Sequence, residues 1–570
     1  MAGVAAVERI EAAPSKRRRW RGRPRPIALP PGDWPDLIGR LLAMRGFTSE
    51  DDARAFLHPP GPSPDPLALP GMSMAIERLA LASRRGETVA VFGDFDVDGV
   101  TSVAQFTQAL LALGARPLPY VPDRFREGYG LNIPAIEQLH AQGAAVLVTA
   151  DCGTSSVAEV ARARELGMDV LIFDHHTVPP ELPPATALVN PRLQDHVPGG
   201  LLELATAGLA FHAAAALHDA LGRQFDADAY IDAAALGTVC DMAPLTEENR
   251  RIVQLGLPVL ARTRRPGLRA LMAVSGVTPA AVDAEDIGYR LGPRINAAGR
   301  IQHADLALEL LLTQDEDRAQ ELAARLDELN RERQQATERA VALAVELLEG
   351  AELPPLIMVG HPEFPAGIVG LVASKLVTLY GRPAVVYEQG PETSRASCRS
   401  IDAFHITDAL RTCAPLFVRF GGHRQAAGFT AENARLGEIR ECLVERAARE
   451  LAGAELVPVV EIDAQLPLRE LRGDEIRWLA RLAPFGVGNP EPAFLARDVT
   501  VVETRLVGNG EKHLRLKLRD GGLTWTAIAF DMGDTACSPG DRIDVVYSLS
   551  AGGFDNALEL RVEDFRPAGI

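Results

Sequence analysis

Carboxylates and imidazoles follow three short apolar runs of the chain. The runs at residues 88–92, 144–150 and 169–173 lead into the segments GDFDVDG, DCG and DHH. Their ionisable side chains are those of Asp94, Asp96, Asp98, Asp151, Asp174, His175 and His176. At neighbouring strand ends, so many ionisable groups would repel each other unless a cation lay among them. Carboxylates joined by one or two imidazoles suit Mn²⁺ or Mg²⁺, and two such ions can together cleave a phosphodiester.

Each of these segments alone has a plainer interpretation. The DxDxDG spacing also opens calcium loops, but no acidic residue stands at the twelfth position, and the motif follows a strand rather than a helix. The pair His175–His176 alone is more often a turn with one solvated imidazole. Asp241 alone could simply end the helix predicted at 231–239. The coincidence of three segments at strand ends is what favours a metal site.

The elements that must position these residues are strands alternating with helices. Helical segments around 103–113 and 157–166 separate the apolar runs, which predicts a parallel, doubly wound α/β sheet. Ligands of such sheets bind beyond the carboxyl ends of the strands. A long amphipathic helix from about 315 to 348 is either a domain connector or an ordinary packed helix. A second α/β unit follows, and short alternating runs such as HLRLKL (513–518) predict a small antiparallel barrel or sandwich.

This pattern divides the chain into six parts. They are a disordered basic tail at 1–30, a helical lead-in at 31–71, a catalytic domain at 72–314, a connecting helix at 315–353, a smaller α/β domain at 354–455 and a barrel at 456–570. The lead-in is expected to dock onto the domain that follows it. The basic stretch from Lys16 to Arg25 is either a solvated tail or a non-specific tether to DNA.

Composition bounds the class of protein. The chain has 570 residues, 47% of them hydrophobic, and no apolar run of 18 residues, so no membrane span is expected. The N-terminus lacks the apolar stretch of a secretory signal. Six scattered cysteines without a C-x-x-C pair predict neither a zinc ribbon nor a disulfide framework, which favours a reducing cytoplasm. The net charge of −17 argues only weakly against nucleic acid, because clustered metal ligands contribute to it.

The motifs resemble those of a known family. GDFDVDGVTS (93–102), TADCGTSS (149–156), FDHH (173–176) and GTVCDMAPL (237–245) are similar to four successive motifs of the DHH phosphoesterases. GPRINAAGR (292–300) resembles a segment of the branch that degrades single-stranded DNA from its 5′ end. SCRS (397–400) and GGHRQAAGF (421–429) resemble the associated DHHA1 domain, and LAPFGVGNPEPAF (482–494) resembles the entry to that branch's oligonucleotide-binding (OB) fold. The resemblance covers about 35–570.

The resemblance implies a role for each residue of the site. The implied metal ligands are Asp96, Asp98, Asp151, His175 and Asp241, with Asp94 as a further ligand or as an organiser of its loop. Asp151 and Asp241 would be shared between ions, His176 would face the scissile phosphate, and Asp174 would orient a histidine ring. Some branches carry a histidine where this chain has Phe92, so one ion is expected to be held more weakly unless Asp94 replaces that ligand.

The substrate would be held by cationic and glycine-rich segments. The implied phosphate contacts and their supports are Arg124, Arg294, Asn296, Arg300, Gly422 and His423, with Ser397 and Arg399 gripping a terminal phosphate. Surface salt bridges are the alternative for any one arginine. Lys512, Arg515, Lys517 and Arg519 would line a groove of the barrel, or else form a solvated strand face.

Together these residues predict a two-ion (Mn²⁺ or Mg²⁺) 5′→3′ exonuclease that releases 5′-mononucleotides from single-stranded DNA in repair and recombination. The expected protein is a cytoplasmic monomer that works beside a single-strand-binding protein and a helicase, without a membrane. One alternative is a DHH hydrolase of short oligonucleotides or small nucleotide phosphates, and another is a non-catalytic replication-fork component. The barrel argues against the first alternative, and the filled acidic positions argue against the second.

Overall fold

The N-terminal segment is anchored on the far end of the chain. The computed structural model describes residues 18–569 except 25, 27, 59–60, 62, 129, 351, 454–455, 536 and 552–557, so most of the predicted tail lies outside it. The first elements are β1 (Arg19–Gly22), α1 (Asp36–Met44) and α2 (Glu50–Leu57). β1 pairs in parallel with residues 459–462, so the predicted disorder is wrong for residues 19–22. The anchor is Trp20, whose Nε1 donates to Asp564 at 2.6 Å while Arg566 covers its ring at 3.5 Å.

The lead-in helices do not dock where they were expected. Ile38 and Leu41 of α1 and Leu57 of α2 are buried in one core with residues of the C-terminal barrel such as Leu468 and Leu482. The lead-in therefore completes the barrel rather than the catalytic domain that follows it, and that expectation is wrong. The reason is that the apolar stripes of two short helices are satisfied by any complementary apolar surface, near or far in sequence.

The catalytic domain is a five-stranded parallel sheet under helices. Its elements are α3 (Met72–Arg85), β2 (Thr88–Gly93), α4 (Val97–Ala112), β3 (Arg116–Tyr120), α5 (Ile133–Ala141), β4 (Ala144–Ala150), α6 (Val157–Glu165), β5 (Asp169–Phe173), β6 (Ala187–Val189), α7 (Thr206–Ala220), α8 (Ile231–Cys240), α9 (Glu247–Leu260), α10 (Pro266–Ser275), α11 (Ala284–Asp286), α12 (Gly292–Ile301) and α13 (Asp305–Leu312). The strand order β3-β2-β4-β5-β6 confirms the three predicted strands as neighbours. Because β3 lies outside β2, the chain reverses its winding between β2 and β4, and a crevice opens at their carboxyl ends.

A single helix of 31 residues, α14 (Glu316–Glu346), leaves this domain. Leu322, Leu326 and Leu329 pack into the core of the catalytic domain, whereas Ala340 and Ala344 belong to the core of the next one. The helix is therefore the connector, and the alternative of an ordinary packed helix falls away. No helix in the described part of the chain is both long and apolar enough to cross a membrane.

The second α/β domain is a mixed sheet. Its elements are β7 (Ile357–His361), α15 (Val369–Tyr380), β8 (Ala384–Gln389), β9 (Thr393–Arg399), α16 (Ile406–Thr412), β10 (Arg419–Gly422), β11 (Ala426–Glu432) and α17 (Leu436–Glu450). The order is β10-β11-β9-β8-β7, with only the β7–β8 pair parallel in this sheet. The scattered cysteines predict no disulfide framework, and among the described residues one bridge forms, between Cys413 and Cys442.

The C-terminal domain is a closed barrel. Its elements are β12 (Val459–Ile462), β13 (Ala464–Gln465), α18 (Gly473–Ala480), β14 (Phe494–Val507), β15 (His513–Asp520), β16 (Leu523–Ala529), β17 (Arg542–Ala551) and β18 (Leu558–Pro567). The β14–β17 pairing closes the circle β14-β15-β16-β18-β17, and its pairings are antiparallel except for β16 with β18. Side chains of β15 alternate between the core and solvent, which places Arg515, Lys517 and Arg519 on one outer face.

Candidate metal centre

The first acidic loop turns from β2 directly into α4. Asp96 is the N-cap of α4, and its Oδ1 accepts a hydrogen bond from the backbone N–H of Gly99 at 3.2 Å. A Cβ atom on Gly99 would lie 2.4 Å from the carbonyl oxygen of Asp94, so the glycine that ends the DxDxDG motif is required by the tightness of this turn. The turn carries Asp94, Asp96 and Asp98 to the crevice between β2 and β4.

Backbone amides of α7 hold the third carboxylate of this loop. Asp98 is buried, and its two oxygens accept from the backbone N–H groups of Thr206 at 2.8 Å and Ala207 at 2.7 Å. The hydroxyl of Thr206 donates to Asp151 at 3.2 Å, so one helix start positions carboxylates from two strands. Sequence reasoning missed Thr206, because a backbone donor leaves no signature in residue type.

The predicted ligands come together in three overlapping groups. Within each group the ligand atoms lie within 4.8 Å of one another. The groups are Asp94, Asp96 and Asp151; Asp98, His175 and Asp241; and Asp151, His175 and His176. The first two share no residue, and the third joins them through Asp151 and His175. The crevice therefore offers two neighbouring sets of oxygen-rich ligands rather than one.

Burial and mutual repulsion dominate the electrostatics of these carboxylates. Burial, with the neighbouring Asp96, raises the pKa of Asp98 to about 7, and burial with nearby acids also raises the pKa of Asp94, Asp151 and Asp241. Carboxylic acids that resist ionisation in this way are stabilised as carboxylates by a divalent cation.

A buried imidazole nitrogen and a buried carboxylate oxygen have no hydrogen-bond partner in the described part of the chain, and a metal ion could take that place. Burial lowers the pKa of His175 to about 3, so its ring is neutral, and its Nε2 lies 3.3 Å from Asp151 Oδ1 and 3.6 Å from Asp241 Oδ2. Among the described residues, neither His175 Nε2 nor Asp94 Oδ1 makes a hydrogen bond. A neutral imidazole nitrogen surrounded by carboxylate oxygens is the donor set of Mn²⁺ or Mg²⁺, so the residues present fit such ions.

Asp174 orients the second histidine of the DHH segment. Its Oδ1 accepts from His176 Nδ1 at 2.7 Å, and its Oδ2 accepts from the backbone N–H of Thr154 at 3.0 Å. Burial alone would raise the pKa of Asp174, but the hydrogen bonds from His176 and Thr154 hold it below its usual range. In return Asp174 raises the pKa of His176 against the effect of burial. The ring of His423 stacks on His176, with centroids 6.1 Å apart.

Four arginines from separate elements gather beside the acidic crevice. Arg124 lies over the ring of Phe95 at 4.9 Å, and Arg399 donates to the hydroxyl of Ser397 at 3.0 Å. Burial lowers the pKa of Arg300 to about 10, and Arg124, Arg333 and Arg399 lower it further. In the part of the chain that the structure describes, none of the four is paired with a carboxylate. Guanidinium groups at close quarters without a carboxylate partner are suited to bind an anion, and we call this cluster the anion pocket.

The other predicted site residues lie in the surrounding elements. Arg294 donates through Nε to Asp327 of α14 at 2.9 Å, and burial together with the charge of Arg294 lowers the pKa of Arg333 on the same helix. Asn296 is partly buried on α12, without a described hydrogen bond. Gly422 lies in β10 with a φ of 141°, where a Cβ would meet Ala427 at 2.4 Å. Phe92 is fully buried and stacks on Tyr120, so it supplies no ligand in place of the histidine of other branches.

Two arginines near the site could not be predicted from the sequence. Arg333 lies on α14 in the charged run RERQQATER, where nothing marks one arginine as special. Arg192 follows β6. Its charge opposes the rise that burial causes in the pKa of Asp241, and it adds to the lowering that burial causes in the pKa of His175 and His423. Neither belongs to a segment with chemical spacing, so only the fold shows their proximity to the site.

Comparisons with known protein families match the three domains of this fold. The model of the DHH family N-terminal domain matches residues 88–238, that of the DHHA1 domain matches 352–450, and that of the RecJ OB domain matches 462–564.

Relatives of similar sequence share most of this architecture. The single-stranded-DNA-specific exonuclease RecJ of Bacillus subtilis is 36% identical over 91% of this chain, which spans 66% of that relative's length. The RecJ exonuclease of Salmonella typhimurium is 35% identical, over 94% of this chain and 97% of its own. The crystal structure of RecJ in complex with Mn²⁺ from Thermus thermophilus superposes with a TM-score of 0.81 at 32% identity, covering 97% of this chain and 80% of that one.

Proposed function

The chain belongs to the RecJ family of single-stranded-DNA-specific exonucleases, and from this premise we propose that it removes 5′-mononucleotides one at a time from the 5′ end of single-stranded DNA, in repair and recombination. The observation that carries the proposal is the juxtaposition of two metal-binding groups of carboxylates with a pocket of four unpaired arginines. The two groups of potential metal ligands would serve to cleave a phosphodiester. The arginine pocket would hold the phosphate at the end of the strand.

The chemistry of the crevice follows from its ligands. Asp94, Asp96, Asp98, Asp151, Asp241 and His175 would hold two ions of Mn²⁺ or Mg²⁺, which would supply Lewis acidity at the phosphate. Since the hydrogen bond to Asp174 engages Nδ1 of His176, Nε2 of the ring is left for the substrate, and a protonated ring would donate from it to an oxygen of the scissile phosphate. The ring of His423 lies nearly parallel to this ring, on the side of the DHHA1 domain. Asp174, kept ionised by its hydrogen bonds, holds the ring in place throughout.

Direction follows from the anion pocket. A terminal phosphate carries more negative charge than an internal diester, so a pocket lined by Arg124, Arg300 and Arg399 favours the end of a strand. Binding of the 5′-terminal phosphate there sets the next phosphodiester over the acidic crevice. We infer further that the protein acts as a monomer in the cytoplasm, and that a helicase and a single-strand-binding protein expose and coat its substrate.

A labelled-strand digestion tests the proposal directly. With Mn²⁺ or Mg²⁺, a 5′-labelled single strand should release labelled mononucleotide at the first time point, whereas a 3′-labelled strand should shorten gradually. A blunt duplex of the same sequence should stay intact, and EDTA should stop every reaction. Mononucleotide release from the 3′ label first would contradict the proposed direction.

Arg399 should set the preference for a 5′-phosphate. In Arg399→Ala, the ratio of kcat/KM for 5′-phosphorylated over 5′-hydroxyl strands should fall about ten- to a hundredfold, since a charge-assisted contact contributes about 1.5–3 kcal/mol. Arg395→Ala is the matched control, because Arg395 is an exposed residue of the same strand, β9. Steady-state kinetics at one salt concentration measure both ratios. An unchanged ratio in Arg399→Ala, or no preference in the parent protein, would remove Arg399 from the pocket.

The barrel should bind the strand beyond the active site. Arg515 and Lys517 face outward with Arg505 around a shallow pocket of about 260 Å³ on β14–β16, although Lys517 also pairs with Glu503 at 2.6 Å. Replacing Arg515 and Lys517 by Glu should weaken binding of long single strands and lower the salt dependence of log K by about one to two units, because fewer counterions are released. Hydrolysis of trinucleotides should be unaffected.

The matched control for the barrel is a second pair of exposed arginines. Arg472 and Arg477 are exposed residues at α18 rather than on β15, and the same double change to Glu alters net charge equally. Equal losses of affinity in the two double variants, measured by fluorescence anisotropy over a salt series, would show a general charge effect and no DNA path on the barrel. An extended path would also disfavour the alternative of a hydrolase for small nucleotide phosphates.

A further inference from the structure

The loop between β3 and α5 carries Arg124 but is built around another residue. Its turn is closed by backbone hydrogen bonds from Glu127 and Gly128 to the carbonyl of Asp123, at 2.8 and 3.3 Å. The carboxylate of Asp123 accepts from the backbone N–H of Phe125 at 2.8 Å. Arg124 therefore lies at the first corner of a compact turn, next to Asp123 and three residues before Glu127.

The carboxylate of Glu127 is the centre of this turn. It accepts three hydrogen bonds: from the hydroxyl of Tyr120 at 2.8 Å, from the side-chain amide of Asn132 at 2.9 Å and from the backbone N–H of Asp123 at 2.8 Å. The donors come from the end of β3, from the N-cap of α5 and from the turn itself. One partly buried side chain thus ties the turn to both flanking elements, and among the described residues it has no cationic partner.

Arg124 depends on this turn because no polar group of the described residues holds its side chain. Its guanidinium lies over Phe95, and burial lowers its pKa, but it makes no hydrogen bond or ion pair to the described residues. A long side chain without a polar partner is placed by its backbone and, here, by the one ring that it covers. Fixing that backbone before the ligand arrives avoids the entropy cost of ordering it on binding.

We propose that Glu127 is the positioning residue of the anion pocket, which it preorganises by fixing the turn that presents Arg124 to the 5′-terminal phosphate. The inference rests on the proposed function of Arg124 in binding that phosphate. Glu127 touches neither substrate nor ion, and its effect passes entirely through Arg124.

A double-mutant cycle in the full-length protein tests this dependence. Glu127→Ala should raise the KM for 5′-phosphorylated single strands about tenfold, with kcat changed less than about twofold and the KM for 5′-hydroxyl strands unchanged. In the Arg124→Ala background, the same change should add less than about twofold to KM. Glu127→Gln, which keeps an acceptor oxygen, should restore part of the affinity. Glu181→Gln is the control, because Glu181 is an exposed acid of the same domain.

The possible failures are distinguishable. If Glu127→Ala and Arg124→Ala raise KM by factors that multiply, Glu127 acts independently of Arg124 and the positioning role is overturned while the phosphate pocket stands. If Arg124→Ala alone leaves KM for both strands unchanged, the phosphate pocket falls and the inference falls with it. If Glu127→Ala does not fold, the same cycle is carried out with Glu127→Gln. Increases in KM that multiply in the double variant overturn the positioning role. No further increase in KM when Glu127→Gln is added to Arg124→Ala supports it. Mn²⁺ affinity should stay at the parent value in each variant.

Discussion

Asp151→Asn should abolish hydrolysis while leaving the fold intact. Asp151 belongs to two of the three groups of potential ligands, so its loss weakens one set and also the group that joins it to the other. The turnover number should fall at least about a thousandfold, because charge stabilisation of several kcal/mol is lost. Asparagine is chosen because Asp151 has a φ of 67°, a conformation that Asn adopts more readily than Ala.

The stability of this variant should move in the opposite direction. Burial raises the pKa of Asp151, so in the metal-free protein at neutral pH its ionised form opposes folding. An amide removes that cost, and the metal-free variant should melt at or above the temperature of the parent protein. Thermal unfolding with EDTA and single-turnover digestion with Mn²⁺ measure the two effects, with the exposed Asp195→Asn as control. Activity near the parent level would show that Asp151 is not a shared ligand.

The parts of the fold that sequence predicts are those with local periodicity. The runs at 144–150 and 169–173 are continuous apolar strands, and their bounds in the structure are the predicted ones. β3 was missed because RPLPY contains two prolines, which is possible here since β3 is an edge strand. β6 was missed because it has only three residues.

Contacts between distant segments of the chain are the part of the site that the sequence does not predict. The acids and histidines of the crevice other than Asp241 follow predicted strands whose carboxyl ends must meet. Asp241 follows a helix, and only the family resemblance indicates its role. The amides of Thr206 and Ala207, by contrast, reach Asp98 from more than a hundred residues away, and a backbone N–H has no sequence pattern. The phosphate contact of Arg294 stays a prediction, and its partner in the structure, Asp327 of α14, is a residue of ordinary appearance that no motif indicates.

Metal affinity should rise steeply with pH near neutrality. Asp98 has its pKa raised to about 7, and burial also raises the pKa of Asp94, Asp151 and Asp241, so the metal-free crevice holds protons that the unfolded chain would have lost. A cation must displace these protons, so its binding releases them and strengthens as pH rises. The affinity for Mn²⁺ should therefore increase about tenfold or more between pH 6 and pH 7.5.

The same shift fixes the sign of the stability change. Between the ordinary pKa of an aspartate and about 7, the folded metal-free protein binds more protons than the unfolded chain, so its free energy of unfolding falls as pH rises through this window. Saturating Mn²⁺ should reverse that slope. Calorimetric titrations in two buffers of different ionisation enthalpy count the protons released, and Asp151→Asn should release fewer than the parent protein. A constant affinity from pH 6 to 7.5, with heats independent of the buffer, would mean that the carboxylates are already ionised without metal and that something other than a divalent ion compensates their charge.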